Sequence, residues 1–213
     1  MAQLTLLATL ILTGAQSPFQ GVVTGSYYDE SGKPAMDYTQ TIKGRRMRTD
    51  MAVGGMEVSS LFDYDANTMT SIMHTQRVYM VMNLNKAAGS AGNPSAPRIT
   101  ATGQSETIAG LRCDHYLIGD KQDVDICAAK GMGFGVPQGR GPMGRGQPGN
   151  LPVEYEQLAR QFKDGFFPMK MEHVEGGRRR LVVLVKTVER KAIPDATFAM
   201  PAGYTEMKIP GMP

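Results

Sequence analysis

The sequence predicts a single, mainly β domain of the α+β class, in which an antiparallel sheet carries one helix. Three observations lead to this prediction. The chain has 213 residues, a length that suits one domain with one hydrophobic core. Most of the chain alternates apolar and polar residues with a period of two, which is typical of half-buried strands. Short turn signals separate these runs, so successive strands should pair in antiparallel order.

Eleven strand-like runs make up the predicted sheet. Turn signals such as Gly54-Gly55 and Asp65-Ala66-Asn67 separate the first six, which predicts an antiparallel meander. One helix is predicted over Val153–Lys163, where apolar residues recur at helical spacing. The runs cover residues 19–28, 35–43, 46–53, 56–64, 68–75, 77–84, 99–107, 111–118, 123–128, 166–174 and 179–191, and a tail covers residues 194–213.

The N-terminus resembles a signal peptide. Leu4–Leu12 form a short apolar core, and small residues follow it up to Ala15, as in a cleavage site. This core is too short to span a membrane. No Lys or Arg precedes the core, and the alternatives are a buried first strand or a wrongly assigned start. We therefore expect a signal peptide over residues 1–15, a single exported domain over residues 16–213, and a periplasmic or secreted protein that does not span the membrane.

Residues 131–152 hold eight Gly and four Pro, too many for a packed element. We expect them to form a flexible loop inside the domain. The formal charge of the chain is +3, and residues 129–152 contribute all of it through Lys130, Arg140 and Arg145. A nucleic-acid binder usually carries a basic face on its folded part. Because the rest of this chain is neutral overall, we expect no nucleic-acid partner.

The two cysteines, Cys113 and Cys127, lie in neighbouring strand-like runs. With a three-residue turn over residues 119–121, the two would stand directly opposite each other and within disulfide range. A structural disulfide fits an exported protein, and we favour it. The alternatives are a buried thiol pair or a redox pair, although the spacing is not Cys-x-x-Cys.

Methionine dominates one face of the predicted sheet. The chain has 16 Met and no Trp, and the flexible Met side chain suits irregular gaps or apolar ligands of variable shape. One short helix cannot cover so many strands, so part of this face should stay open as an apolar cavity. The alternative is a core filled by Met. The candidate ligand-binding residues are Met36, Tyr38, Met47, Met51, Phe62, Tyr64, Met69, Met73, Val78, Met80, Met82, Met169 and Met171, and we also expect Leu181, Val183 and Val185 to point inward.

Copper binding is an alternative interpretation of the same residues. The runs Met80-x-Met82 and Met169-x-Met171-x-His173 place thioether and imidazole groups on one strand face, and such soft ligands suit copper(I). These are also ordinary inward positions of a strand. We therefore expect no metal and no cofactor.

Motifs of known catalytic sites are missing from the sequence. No Gly-x-Ser-x-Gly, His-Glu-x-x-His, phosphate-loop or Cys-x-x-Cys motif occurs. His115 and Asp125 should face each other beside the cysteines, but an acid–base pair without a nucleophile is more typical of an exposed cross-strand contact. We therefore expect that the protein is not an enzyme.

Five segments carry a family pattern: Arg77–Met82, Gln104–Tyr116, Ile126–Gly133, Gly165–Lys170 and Phe198–Tyr204. In this order they resemble motifs of a bacterial family called domain of unknown function 4412 (DUF4412). Its members are typically exported and are similar to periplasmic lipoprotein carriers of the LolA and LolB type. The resemblance implies a curved antiparallel sheet, an incomplete β-barrel whose helix plugs an apolar concavity. The family has no established activity, so the resemblance transfers no functional residue.

Two functions from different classes remain open. The first is a periplasmic carrier or sensor that binds an apolar small molecule or the acyl chain of a lipid or lipoprotein in the Met-lined concavity. The second is a structural or protein-interaction module with a filled core. A copper-binding periplasmic protein is a remote third possibility.

Overall fold

A computed structural model describes residues 18–83, 98–133, 162–163 and 165–208. These residues form one twelve-stranded sheet and one short 3-10 helix, η1 (Asp195–Phe198). The strands are β1 (Gln20–Tyr28), β2 (Pro34–Lys43), β3 (Arg46–Val53), β4 (Met56–Asp63), β5 (Thr68–Met73), β6 (Val78–Asn83), β7 (Ile99–Ile108), β8 (Leu111–Ile118), β9 (Val124–Ala129), β10 (Phe167–Glu175), β11 (Arg178–Arg190) and β12 (Thr205–Glu206).

The sheet consists of two antiparallel meanders, one containing β1 to β6 and the other β7 to β11. Antiparallel pairing of β1 with β11 joins them, so that Val23 lies beside Val188 and Tyr27 lies beside Val183. The sheet stays open, with β7 at one edge and β12 at the other, where β12 pairs parallel to β6. The predicted mainly β fold, an open antiparallel sheet that is not closed into a barrel, is confirmed.

All eleven predicted strands are present, and their ends lie within two residues of the predicted ends. Tight turns explain this agreement in the first meander. Gly44 (φ 60°), Gly54 (φ 58°) and Gly55 (φ 80°) adopt the left-handed backbone conformation that glycine adopts readily, and short turns of this kind set the strand register. The prediction missed η1 and β12, because residues 194–213 show no alternation that would mark regular structure.

Several predicted features lie outside the described residues. They are the signal peptide (1–15), most of the Gly/Pro-rich loop (131–152) and most of the helix over Val153–Lys163. Of the residues predicted to form this helix, Phe162 is described, and its ring packs edge-on against Tyr116, with centroids 5.0 Å apart. Among the helices of the described ranges, none combines the length and the apolar composition needed to cross a membrane.

Cys113 and Cys127 form a disulfide, as predicted, with their Cα atoms 5.2 Å apart. The predicted register of their hairpin is wrong by two residues. Cys113 pairs with Ala129 and Cys127 pairs with His115, so the bridge runs diagonally between β8 and β9. The turn between β8 and β9 is longer than predicted, because it covers residues 119–123 instead of 119–121. Within this turn, Gln122 takes a left-handed conformation (φ 53°), and its N–H donates a hydrogen bond to the carbonyl oxygen of Gly119.

A β-bulge between β10 and β11 changes which residues of β11 face inward. Met171 pairs with Val183, but the next residue, Glu172, pairs with Leu181, so Val182 has no partner of its own. Leu181 therefore lies on the same face as Glu172, and its predicted inward position is wrong. Val183 faces inward with Met171, as predicted.

Two buried clusters form the core, and strands of both meanders contribute to each. The curved sheet therefore brings side chains of the two meanders together. One cluster includes Val23, Ile42, Met47, Phe62, Cys113, Cys127, Phe167, Met169 and Val185. The other includes Tyr38, Tyr116, Ile118, Ile126, Phe166, Met171, Val182 and Val183.

Gly25 allows β1 to pass between its two neighbours at the junction of the meanders. A Cβ atom at this position would overlap the Oη atom of Tyr38 and would lie 2.6 Å from the carbonyl oxygen of Leu184. The register of β1 with β11 also shifts between Thr24 and Gly25, which marks a bulge. Glycine is therefore required where the Tyr38 ring crosses β1.

The disulfide gives a first prediction. Protein recovered from an oxidising compartment should titrate no free thiol under non-reducing denaturation. Replacing both cysteines with Ala should lower the free energy of unfolding by about 3 kcal/mol, the entropy of a loop of roughly 15 residues, without preventing folding. Two titratable thiols in the wild-type protein, or no loss in the urea midpoint of the double variant, would contradict this prediction.

Gly25 gives a second prediction. Gly25→Ala should lower the free energy of unfolding by about 1–3 kcal/mol, because the added methyl group overlaps a backbone carbonyl that cannot move away. Thr24→Ala is the matched control, since it removes only an exposed hydroxyl hydrogen bond to Thr187 and should cost less than about 1 kcal/mol. Equal urea midpoints for the two variants would show that β1 has more space at Gly25 than the structure indicates.

Candidate ligand-binding face

The thirteen predicted ligand-binding residues share one face of the sheet, which we call the inner face. Residues that pair directly across two strands point to the same side. Met171 joins this face through its pairing with Val183, which pairs with Tyr27. In the first meander, one row of paired residues contains Tyr38, Met51, Val58, Met73 and Val78, and a second row contains Ile42, Met47, Phe62, Met69 and Met82.

Across β2 to β6, the inner face carries no charged side chain. Its positions are Met36, Tyr38, Gln40, Ile42, Met47, Thr49, Met51, Val53, Met56, Val58, Ser60, Phe62, Met69, Ser71, Met73, Val78, Met80 and Met82. The charged residues of the same strands lie on the outer face, and they are Asp37, Lys43, Arg46, Arg48, Asp50, Glu57 and Asp63. The inner face of this half of the sheet is therefore suited to contact with apolar groups.

The inner face is only partly covered by the protein. Seven of the thirteen predicted residues are buried, namely Tyr38, Met47, Phe62, Tyr64, Met80, Met169 and Met171. Six are half-buried, namely Met36, Met51, Met69, Met73, Val78 and Met82. Four of these six, Met36, Met51, Met73 and Val78, lie together at one end of the strands, which we call the open end. Apolar surface thus remains accessible at the open end.

A row of polar residues crosses the inner face between the two apolar rows. Gln40 pairs with Thr49, Thr49 with Ser60, and Ser60 with Ser71. All four are buried, and Thr49 is 0% exposed with no hydrogen-bond partner for its hydroxyl within the described ranges. Such groups normally bind a partner or an ordered water molecule. The inner face therefore offers hydrogen bonds as well as apolar contact.

Tyr38 shows how apolar this face is. Its side chain is 5% exposed, and its ring lies 5.1 Å from that of Tyr27, centroid to centroid. Burial raises the pKa of the Tyr38 phenol above its ordinary value, and repulsion from Tyr27 adds to this shift. Burial also raises the pKa of Tyr27 to about 12. Both shifts have the sign expected for phenols in a site that disfavours charge.

Arg180 is a cation at the open end of the inner face. It pairs with His173, which pairs on its other side with Val124, a residue packed against the second core cluster. The bulge places Arg180 inward and its neighbour Arg179 outward, where Arg179 binds Asp125. Arg180 is half-buried, and its Nη1 atom has no hydrogen-bond partner in the part of the chain that the structure describes.

A charged network occupies the outer face of β7 to β11, around the predicted pair of His115 and Asp125. These two residues do meet, with His115 Nδ1 2.7 Å from Asp125 Oδ1, but they are buried rather than exposed. Asp125 also accepts a hydrogen bond from Arg179, and Glu106 approaches His115 Nε2 at 3.2 Å. Hydrogen bonds to Asp125 and Glu172 raise the pKa of Arg179.

One group of metal-binding atoms is close enough to ligate an ion in the described residues. Atoms of Glu106, His115 and Cys127 lie within 4.8 Å of one another. Cys127 is bonded to Cys113, so its sulfur is not available as a thiolate ligand. The same bond leaves His115 without a free thiol to activate, and the network serves to pair buried charges across β7 to β11.

His74 lies on the outer face, away from the methionines. Its Nε2 atom is 2.6 Å from Ser59 Oγ, and its Nδ1 atom is 2.9 Å from Tyr204 Oη. Ser59 donates a hydrogen bond to Asp50. Because the Ser59 side chain is buried, this chain of hydrogen bonds ties the C-terminal segment to the sheet and does not present a nucleophile.

A shallow groove of about 240 Å³ lies beside η1 on the outer face. Its lining residues include Leu61, Thr70 and Met200, and the Arg46 guanidinium stacks over the ring of Phe198 at 4.9 Å. Of the thirteen predicted residues, only Phe62 contributes to its lining. The groove is thus separate from the inner face.

Sequence reasoning found the apolar residues of the inner face and missed its polar ones. The polar row could have been found, because Gln40, Thr49, Ser60 and Ser71 alternate in step with the methionines of the same strands. Arg180 could not, because the bulge that turns it inward leaves no mark in the alternation of β11.

Comparison with known proteins supports the family resemblance. The model of the family described as domain of unknown function (DUF4412) matches residues 19–204. No curated protein matches the chain. The match covers every described strand except β12. The chain therefore belongs to the DUF4412 family.

Proposed function

We propose that the protein is an exported, non-enzymatic carrier or sensor that binds an apolar ligand, such as a lipid acyl chain, on the inner face of its sheet. One observation carries this proposal. The inner face of β2 to β6 has no charged side chain, yet apolar residues such as Met36, Met51 and Met73 remain half-buried at its open end. Accessible apolar surface of this kind commonly marks a binding site.

The chemistry of the inner face suits an acyl chain. Met side chains adapt to ligands of variable shape, and Met51, Met73 and Met82 all retain accessible surface. Burying hydrocarbon contributes about 0.8 kcal/mol per CH₂ group, so a chain of roughly twelve carbons would gain about 9 kcal/mol before the cost of ordering it. This gain is the main favourable contribution that the inner face could offer an acyl chain.

The proposed export rests on the disulfide and the N-terminal sequence. Disulfides form and persist in oxidising compartments such as the bacterial periplasm and are rare in the cytosol. The bridge between Cys113 and Cys127 is consistent with such a compartment. The apolar core at Leu4–Leu12 supplies a fitting export signal.

An interaction module with a filled core is the second candidate. Its support is the deep burial of four methionines that face inward: Met47 is 1% exposed, Met80 5%, Met169 0% and Met171 3%. If the whole inner face were filled in this way, the protein would act through its outer surface. Copper binding remains a third candidate. Met171 and His173 share the inner face, whereas His74 lies on the outer face, where it bonds Ser59 and Tyr204.

Substitution of Met80 separates the two candidates. Met80 lies on the inner face beside Ser71, and Met80→Asp would place a carboxylate among apolar side chains. If the inner face holds an accessible cavity, water and the Ser71 hydroxyl can solvate the charge. The variant should then fold, with a normal circular dichroism spectrum, but lose binding of the uncharged fluorescent probe N-phenyl-1-naphthylamine.

Val81→Asp is the matched control, because Val81 is the next residue of β6, points outward and is 46% exposed. It should fold and bind the probe like the wild type. In a filled core, Met80→Asp would bury an unpaired charge at a cost of several kcal/mol and unfold a protein of ordinary stability. An unfolded Met80→Asp variant would thus favour the interaction module, and a folded variant with unchanged probe binding would refute the site.

A further inference from the structure

We infer that Arg180 is the head-group site of the inner face and that the ligand is an anionic amphiphile, an acyl chain with a carboxylate or phosphate at one end. This inference rests on the proposed function and specifies its ligand. Arg180 stands at the open end, where the apolar surface is accessible, and a single-chain amphiphile needs its charged head at such a boundary.

The unpaired Nη1 atom of Arg180 is the first step of the argument. This atom has almost no accessible surface and no hydrogen-bond partner among the described residues. A buried cationic donor is costly unless an anion or a hydrogen-bond acceptor pairs with it. An Arg side chain presents a planar fork of N–H donors that matches carboxylate and phosphate oxygens. The unpaired Nη1 atom therefore indicates a binding site for an anion.

The acidic groups of the described strands near Arg180 face other basic residues. Glu175 shares the inner face with Arg180, but it is exposed and pairs across the strands with Arg178. Glu172 lies on the outer face, where Arg179 binds it at 3.1 Å and Lys170 lies 3.8 Å from it. Asp125, the next acid in that network, binds Arg179 and His115. The direct cross-strand neighbour of Arg180 is His173, which is neutral or cationic and cannot neutralise it. An outside anion is thus the partner that fits.

Apolar surface leads directly away from Arg180. Along β10, Met171 lies two residues from His173 on the same face, a distance of about 7 Å, and Met169 follows at the same spacing. Across the sheet, His173 is followed by Val124 and then Ile118. Met171, Met169 and Ile118 are themselves buried. The accessible route from Arg180 therefore leads across β1, where Val183 pairs with Tyr27 and Tyr27 pairs with Met36, and where Tyr27 and Met36 are half-buried.

The β-bulge that turns Arg180 inward supports a role for this residue in ligand binding. Without the bulge between Met171 and Glu172, strand alternation would place Arg180 outward with the other charges of β11. Bulges often redirect a side chain beside a functional site. Here the bulge exchanges an apolar residue, Leu181, for an arginine on the inner face.

The test is displacement of N-phenyl-1-naphthylamine from the folded exported protein by three compounds at pH 8. Laurate carries the chain and the anion, dodecanol carries the chain alone, and acetate carries the anion alone. For the wild type, laurate should displace the probe at concentrations about tenfold below dodecanol, and acetate should not displace it at all. Arg180→Gln should remove the advantage of laurate and leave dodecanol unchanged, while Arg180→Lys should keep part of it.

Arg178→Gln is the matched control, since it removes the same charge from the same face two residues away, where Arg178 is exposed and faces Glu175, and it should behave like the wild type. Equal potency of laurate and dodecanol on the wild type, or an unchanged laurate preference in Arg180→Gln, would overturn the head-group site while leaving the carrier proposal intact. If acetate alone raised the melting temperature of the wild type but not that of Arg180→Gln, the site would bind a free anion. That result would refute an amphiphile as the ligand. Failure of the wild type to bind the probe or any chain compound would overturn both proposals.

Discussion

Pairing between β1 and β11 connects the first strand of the chain to the last long one, and the rest of the structure depends on it. Each meander alone would be a sheet with two free edges and one uncovered apolar face. Joined through pairs such as Val23 with Val188, the two form one sheet whose curvature brings their apolar faces into shared clusters. The absence of a side chain at Gly25 allows this junction to close around the Tyr38 ring.

Once the sheet is continuous, strand alternation sorts the side chains by charge. In β2 to β6, charged groups lie outward, where they form ion pairs such as Arg48 with Asp50 and Lys43 with Asp195. Methionines and a row of small polar residues lie inward. The outer pairs are exposed or half-exposed and contribute little stability each. Their main effect is to leave the inner face free of charge, which is the physical basis of the proposed acyl-chain site.

In the second meander, some of the charged and polar side chains are buried and paired with one another. Its outer face holds a buried network in which Asp125 is 1% exposed, binds Arg179 and lies 2.7 Å from His115. The disulfide crosses the same hairpin, and one of its cysteines, Cys127, pairs directly with His115. A covalent bridge and a paired charge network thus stabilise the strands β8 to β10 together, while the inner face of the same strands continues the apolar surface through Ile126 and Met171.

The sequence was informative wherever short turns and alternation determine position. Two-residue turns at Gly44-Arg45 and Gly54-Gly55 set the registers of the first meander, so alternation alone was enough to assign the inward methionines. The pairing of the cysteines and the direction of Arg180 could not be predicted, because both depend on irregular backbone that interrupts the alternation. The wider turn after β8 moved the cysteine pairing by two residues, and the bulge in β11 exchanged Leu181 for Arg180 on the inner face. The pairing of β12 with β6 depends on tertiary contact of a tail that has no pattern of its own.

Native mass spectrometry of the protein recovered from its own exported compartment, without detergent, tests the central claim most directly. The inner face should hold a bound amphiphile. We therefore expect a mass above that of the polypeptide by the mass of an acyl compound, with this excess removed by organic extraction and recovered as an anionic lipid. The bare polypeptide mass in every preparation, or an excess equal to a copper ion, would contradict the account.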